Sequence, residues 1–394
     1  MFKHLFKLIW NKKRQNSLLI FEMLVSFMVI FAVFSSIVYF YRNYMKPMGI
    51  EYERVWVVKY ENHEKFGNSD SMVQYYETLR QTLKGMPEIR ELSWSSGNTP
   101  YSNQTNGGGY NYQNKKFNRV DVFSVEDSYA AVLGCKLLEG RWLGKQDLVA
   151  RNHPVVINET FREEAFGKEP GVGKLLGSWD DKEKFRVVGV VNDIKDKGTY
   201  SRPLPAVYQK LDTGDFHWLQ HILIRLSPNA DAAFESRLYN VMAGSMKNAN
   251  IAILHLDDML AVKDKFTLVP MIIALIVAGF LIINVALGLF GVLWYNINKR
   301  RGEIGLRRAV GASGRSVSGQ LVSESLILAT LALIIGIFFA IQFPLLHVFD
   351  LPRVVYIIAI GLSVLFIYLL VLVCSLYPGR QAAAIYPAVA LHED

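Results

Sequence analysis

Four long apolar runs, at about residues 18–41, 267–295, 320–346 and 354–377, interrupt an otherwise polar chain. Each can cross about 30 Å of hydrocarbon, which takes roughly 20 helical residues, so four transmembrane helices are predicted. A large polar segment, residues 43–265, separates the first run from the second. Its hydrophobic positions alternate like strands at Val55–Tyr60, Ile89–Ser95, Asn118–Phe123, Trp218–Leu226 and Ile251–Leu256. Helical patterns run from Ser69-Asp70 to about Leu83 and over Asp231–Met246. Tyr101–Asn114 is rich in Asn, Gly, Tyr and Gln and reads as a loop. These elements give two β-α-β units, one near each end of the segment. They are expected to pair as a single subdomain of residues 50–125 and 203–260, with residues 126–202 inserted as a β-rich subdomain. The fold class is therefore a membrane protein of four transmembrane α-helices, with a large α+β domain inserted between the first and second.

The net charge of +8 raises the question of nucleic acid, but its placement answers it. Residues 1–17, 296–319 and 378–394 hold twelve basic residues against three acids, Glu303, Glu393 and Asp394. The basic excess thus lies in three short segments that alternate across the spans. Positive charge marks the cytoplasmic side, so both termini and residues 296–319 are expected in the cytoplasm and residues 43–265 in the periplasm. No nucleic-acid partner is expected. The turn between spans three and four holds only Asp350 and Arg353, as suits an external loop. Residues 1–17 form a basic amphipathic segment, with Phe2, Leu5, Phe6, Ile9 and Trp10 at helical spacing along the membrane surface. The second span, residues 267–295, exceeds what the bilayer needs, so its outer end is read as a stalk under the external domain. Glu22, about a turn from the cytoplasmic end of span one, is expected to reach the interface or pair with Lys12, Lys13 or Arg14. Glu324 is expected to be solvated at the inner end of span three, and Asn284 to bond another helix. Cys135 and Cys374 fall in different compartments and are expected to stay unpaired.

Residues that could carry chemistry do not assemble into a catalytic set. No GxxxxGK[ST] phosphate loop is present. Gly171-Val172-Gly173-Lys174 lacks both the spacing and the hydroxyl. His217 and His221 have a helical metal spacing, but HWLQHILIRL reads as a strand, where four residues separate them widely. Asp180-Asp181 and Glu163-Glu164 sit in polar, solvated stretches. No catalytic, cofactor or metal residue is assigned.

One stretch is more particular than a membrane anchor requires: NKRRGEIGLRRAVGA, Asn298–Ala312. Glu303 and Arg307 are four apart, a stabilising helical pair. Gly311 is a helix stop. The order R-x-E-I-G-x-R-R-A-x-G-A resembles the signature of MacB/FtsX-type permeases of ABC transport systems. The resemblance extends to the external block, through Gly140–Leu143, Val155–Glu159, Phe166-Gly167 with Pro170–Lys174, and Phe185–Val191, although Gly171 is an insertion. It extends also to the tail, at Pro378, Arg380, Ala382, Ala383, Pro387, Ala390 and Leu391. That resemblance implies a homodimeric permease subunit in a bacterial inner membrane. It implies that residues 296–319 dock on a cytosolic ABC ATPase encoded separately, through Arg300, Arg301, Glu303, Ile304, Arg307 and Arg308. ATP would be bound and hydrolysed by that subunit, and this chain would need no cofactor. ATP-driven motion would pass to the periplasmic domain to export or extract a cargo. A periplasmic adaptor and an outer-membrane duct would mark the export branch. A regulator of a cell-wall hydrolase, or a tethered sensor without an ATPase, are the other readings open at this stage.

Overall fold

A computed structural model describes residues 13–61, 69–149, 152–180, 182–211, 219–246 and 249–383. The cationic amphipathic segment and most of the tail motif lie outside the described residues. The elements in chain order are α1 (Lys13–Tyr44), β1 (Val55–Glu61), α2 (Ser69–Lys84), β2 (Ile89–Ser95), β3 (Gly107–Tyr112), β4 (Lys115–Val125), α3 (Tyr129–Leu133), β5 (Leu137–Gly140), β6 (His153–Asn158), α4 (Glu159–Phe166), β7 (Leu175–Ser178), β8 (Lys184–Val191), β9 (Ala206–Lys210), β10 (His221–Leu226), α5 (Ala232–Ser245), β11 (Asn250–His255), α6 (Leu256–Lys299), α7 (Arg301–Ala309), α8 (Gly314–Leu345) and α9 (Arg353–Ala383). Two compact units result, one of Asn43–Thr267 and one of the residues before and after it.

The first unit is α+β. β1, α2 and β2 make one β-α-β step, and β10, α5 and β11 make another. Their strands interleave antiparallel in the order β11-β1-β10-β2. Alternation along β1 places Trp56, Val58 and Tyr60 on the face that α2 and α5 cover. The helices answer with residues at turn spacing: Met72, Tyr76, Leu79 and Leu83 from α2, Phe234, Leu238 and Met242 from α5. The sheet then continues through β4, β3, β7, β8, β6 and β9, and β9 pairs in parallel with β4. This second part closes on itself through that pairing, with β5 attached to β8 beside the closed path. Its interior is filled by Tyr110, Val120, Val155, Ile157, Val187, Val207 and the α4 side chains Phe161 and Phe166.

The structure departs here from the division read in the sequence. β3, β4 and β9 lie within the ranges assigned to the paired β-α-β subdomain, yet they build the closed ring with the inserted block. Tyr101–Asn114 is not a loop throughout, because β3 pairs with β4 on one side and with β7 on the other.

The motifs of the inserted block serve the fold. Asn158 caps α4, accepting from the Phe161 N–H at 3.1 Å and from the Ala206 N–H at 2.8 Å. Its amide donates to Asp193 and to the Leu204 carbonyl, each at 2.8 Å, so every hydrogen bond it can make is made. Arg141 grips the buried Asp147 with two bonds, of 2.7 and 2.5 Å, and holds its carboxyl below the usual carboxylate range. Gly171 N–H donates to Glu139 at 2.8 Å, which accommodates the inserted residue.

The second unit is helical. Four of the described helices, α1, α6, α8 and α9, are long and apolar enough to cross a membrane. Met23, Phe27 and Phe31 of α1 pack with Val285 of α6, Leu328, Ala332 and Leu333 of α8, and Tyr356, Ala359 and Ile367 of α9. α6 is the least covered; Ile272, Ile273, Ile276, Phe280, Ile283 and Leu287 are all exposed along it. Pro270 sits inside α6 and has no N–H to give to the Phe266 carbonyl. Among the described residues Asn284 bonds its own helix and not another, its amide donating to the Phe280 carbonyl at 2.8 Å. The Glu22 carboxylate lies against Gly288, where a Cβ would sit 2.5 Å from its oxygen. Lys12 and the side chains of Lys13 and Arg14 lie outside the description. Both cysteines are free.

Candidate functional site

Between α6 and α8 the chain turns through the cationic stretch, and α7 is nine residues of it. Glu303 in its first turn and Arg307 and Arg308 in its last complement the helix dipole at each end. Gly311 follows with φ +102, the left-handed conformation that ends a helix. Ser313 then caps α8, accepting from the Ser316 N–H.

Two layers fasten this elbow. The inner layer is apolar: Ile297 of α6, Ile304 of α7, and Val317 and Leu321 of α8 form one buried cluster. Burying such a side chain is worth about 1.5–3 kcal/mol. The outer layer is a closed ring of five polar side chains. Arg300 bonds Glu303 at 3.1 Å, and Glu303 bonds Arg307 at 2.6 Å. Arg307 donates to Gln320 at 2.8 Å, Gln320 to Glu324 at 3.0 Å, and Arg300 closes the ring on Glu324 at 3.1 Å. Two cations and two anions cancel, and α7 is tied to α8 as well as to the end of α6.

This arrangement divides the six residues singled out in the sequence. Arg300 and Ile304 face inward and hold the helix. Glu303 and Arg307 belong to the ring, with their side chains 44% and 39% exposed. Arg301 and Arg308 are partly buried outside the ring, beside the exposed Leu306 and Val310. Gln320 and Glu324 complete the site and were not anticipated. Glu324 is not simply solvated at a membrane interface; it is the ring's carboxylate on α8.

Elsewhere among the described residues, His255, Asp257 and Asp258 bring ligand atoms within 4.8 Å of one another. The two acids occupy the first turn of α6, where the helix dipole favours them without an ion. His255 is stacked on Trp56 with ring centroids 4.6 Å apart and faces Glu235 at 3.3 Å. Its place is structural. His221 lies on β10, and His217 falls outside the described residues.

Residues 23–240 match the MacB-like periplasmic core domain, and residues 275–387 match the FtsX-like permease C-terminal domain. The first match alone covers more than half of the chain. This chain belongs to the MacB/FtsX-like family of ABC transporter permeases. Among its relatives, the macrolide export ATP-binding/permease protein MacB of Bdellovibrio bacteriovorus is 25% identical over 331 residues, covering 80% of this chain and 49% of that protein. MacB 1/2 of Paracoccus denitrificans is 26% identical over 235 residues, covering 57% and 34%. The uncharacterized ABC transporter permease YvrN of Bacillus subtilis is 24% identical over 294 residues, covering 69% and 70%. This permease thus spans a third to a half of those two MacB relatives. The crystal structure of the periplasmic region of MacB from Actinobacillus actinomycetemcomitans aligns with a TM-score of 0.39 and 20% identity, over 56% of this chain and 97% of that one. With four helices able to cross a membrane, the permease is a membrane protein.

Proposed function

We propose that this permease is the membrane-spanning subunit of a bacterial inner-membrane ABC system whose ATPase is a separate cytosolic protein. The elbow lies in the cytoplasm and the α+β unit in the periplasm, inserted between the first two spans. The ATPase grips α7, and its ATP-driven closure displaces the elbow. Because the ring and the apolar cluster bind α7 to both neighbours, the push enters α6 and α8 together. The displacement drives export or extraction of a periplasmic cargo, and no cofactor is needed on this chain. Two copies work together, the uncovered apolar face of α6 serving the contact between them or with lipid.

The observation that carries this reading is the two-layer fastening of α7. A helix serving only as an anchor would need neither a charge-balanced ring to α8 nor a sacrificed Ile304. On this reading Arg300, Glu303, Ile304 and Arg307 brace the handle, while Arg301, Leu306, Arg308 and Val310 offer the partner a mixed cationic and apolar surface.

The double variant Leu306→Asp, Arg308→Glu tests it, because neither residue belongs to the ring or the cluster. Purified in mild detergent, the variant should keep the wild-type melting profile but lose the co-purifying ATPase and its stimulated turnover. Retention of the ATPase at wild-type stoichiometry and rate would remove α7 as the docking helix.

A further inference from the structure

A lysine with no access to solvent is unusual, and Lys195 is completely buried. Among the described residues no carboxylate bonds its ammonium. It donates instead to three backbone carbonyls, those of Asn43 and Lys46 at 2.5 Å and of Thr199 at 3.1 Å. Asn43 lies in the last turn of α1, where carbonyls have no partner within the helix and the dipole is negative. Lys195 therefore works as a cap supplied from elsewhere in the chain. Burial, with the Lys46 ammonium nearby, draws its pKa below the ordinary lysine value, and Asp264 opposes that shift.

The same loop holds a second helix. Thr199 donates its N–H and its hydroxyl to the two carboxylate oxygens of Asp264, at 2.8 and 2.6 Å, and Asp264 lies in the opening turns of α6. Further bonds fix the first limb. The Asn43 amide donates to the Tyr200 carbonyl at 3.1 Å, the Lys195 N–H to the Met48 carbonyl at 3.0 Å, and the Asn192 amide to the Gly49 carbonyl at 2.7 Å. The Tyr44 and Tyr200 rings stack at 5.9 Å. Residues 192–201 leave β8 directly and lead on to β9. β8 pairs with β5, β6 and β7, and β9 with β4 and β6, so between them they reach most of the closed ring of strands.

We infer that the 192–201 loop is a clasp in which Lys195 holds the end of α1 and Thr199 holds the start of α6, joining both helices to the strands of the closed ring. Lys195 and Asp264 are positioning residues. Neither touches cargo or ATP; they determine whether motion of the two helices moves β8 and β9. The inference rests on the reading that displacement arrives through those helices.

Amide exchange on the full chain in lipid nanodiscs, co-purified with its ATPase, tests both halves. Without nucleotide, Lys195→Met should speed exchange of residues 43–49 about tenfold, with β6 and β8 unchanged, and Asp264→Asn should do the same for residues 262–267. With ATP and vanadate, the wild type should show altered exchange in β8 and β9. Each variant should lose much of that response, and the double variant all of it, while ATP turnover stays within about twofold of wild type. Should Lys195→Met not fold, Thr199→Val removes one clasp bond and carries the same expectation on the α6 limb. Unchanged local exchange in the variants, or a full ATP-driven response with both limbs cut, overturns the clasp. A wild type without any nucleotide response overturns the transmission reading instead, and the nucleotide-free arm still decides whether the clasp exists.

Discussion

The elbow and the clasp fasten the same kind of object, the end of a long helix, with opposite electrostatics. At the elbow, two arginines meet two carboxylates and a glutamine, the charges cancel, and Glu303 and Arg307 reach water. At the clasp, one ammonium is sealed among neutral carbonyls. An exposed ion pair is worth at most about 1 kcal/mol and weakens with salt. A buried polar group deprived of its partner costs more, and a buried charge most of all. The elbow is thus the weaker fastening, sensitive to salt, and the α+β side the stronger.

The largest loss is expected on the α+β side, at Asn158. Asn158→Ala removes a helix cap and strands the Phe161 and Ala206 N–H groups and the Leu204 carbonyl. A loss of about 4 kcal/mol is expected, read as a lowered urea midpoint of tryptophan fluorescence. A loss of about 1–2 kcal/mol or less would put the α+β contacts on a par with the elbow's.

Next comes pH. Burial, with the Lys59 ammonium beside it, holds the His221 imidazole down at about 4 from its ordinary 6.5. Between those values the unfolded chain binds a proton that the folded chain refuses. Stability should therefore fall as pH drops from 6.5 to 4, by about 3 kcal/mol from this group, and level off below 4 where both states are protonated. His221→Gln should remove that slope from the difference curve, whereas a slope as steep as the wild type's would assign it to other groups.

The smallest effect belongs to the elbow. Glu324→Gln should weaken the hold on α7 by about 1–2 kcal/mol, seen as roughly tenfold faster amide exchange over residues 301–309 with the rest of the helical unit unchanged. Raising salt to about 1 M should narrow the gap between wild type and variant. An effect as large as that of Asn158→Ala would erase the distinction between the two sites.

Much of this was legible in the residues, and the parts that were not share a cause. Ile89–Ser95 alternates and forms a strand over those same residues. The helix read from Ser69 runs to Lys84, and Glu303 meets Arg307 as its spacing requires. These are local patterns. The polar ring is not local: Gln320 and Glu324 come from another helix, 20 and 24 residues beyond Arg300, and an isolated glutamate near a span end looks like one that water can serve. β3 was hidden for a related reason. Gly107-Gly108-Gly109 has poor strand propensity, and its extended form comes from pairing with two neighbours. Gly109 is also needed for close approach, since a Cβ there would sit 2.6 Å from the Trp179 ring. No local pattern marks Lys195 as buried, because its burial depends on contacts with the distant end of α1.

One residue sets where α6 bends most readily. Pro270 withdraws a hydrogen bond from α6 just beyond Thr267, the last residue of the α+β unit. A rod relieved of one bond resists compression along its axis much as before but bends more readily at that point. α6 is in that sense a jointed rod, stiff along its length and pliant at one position.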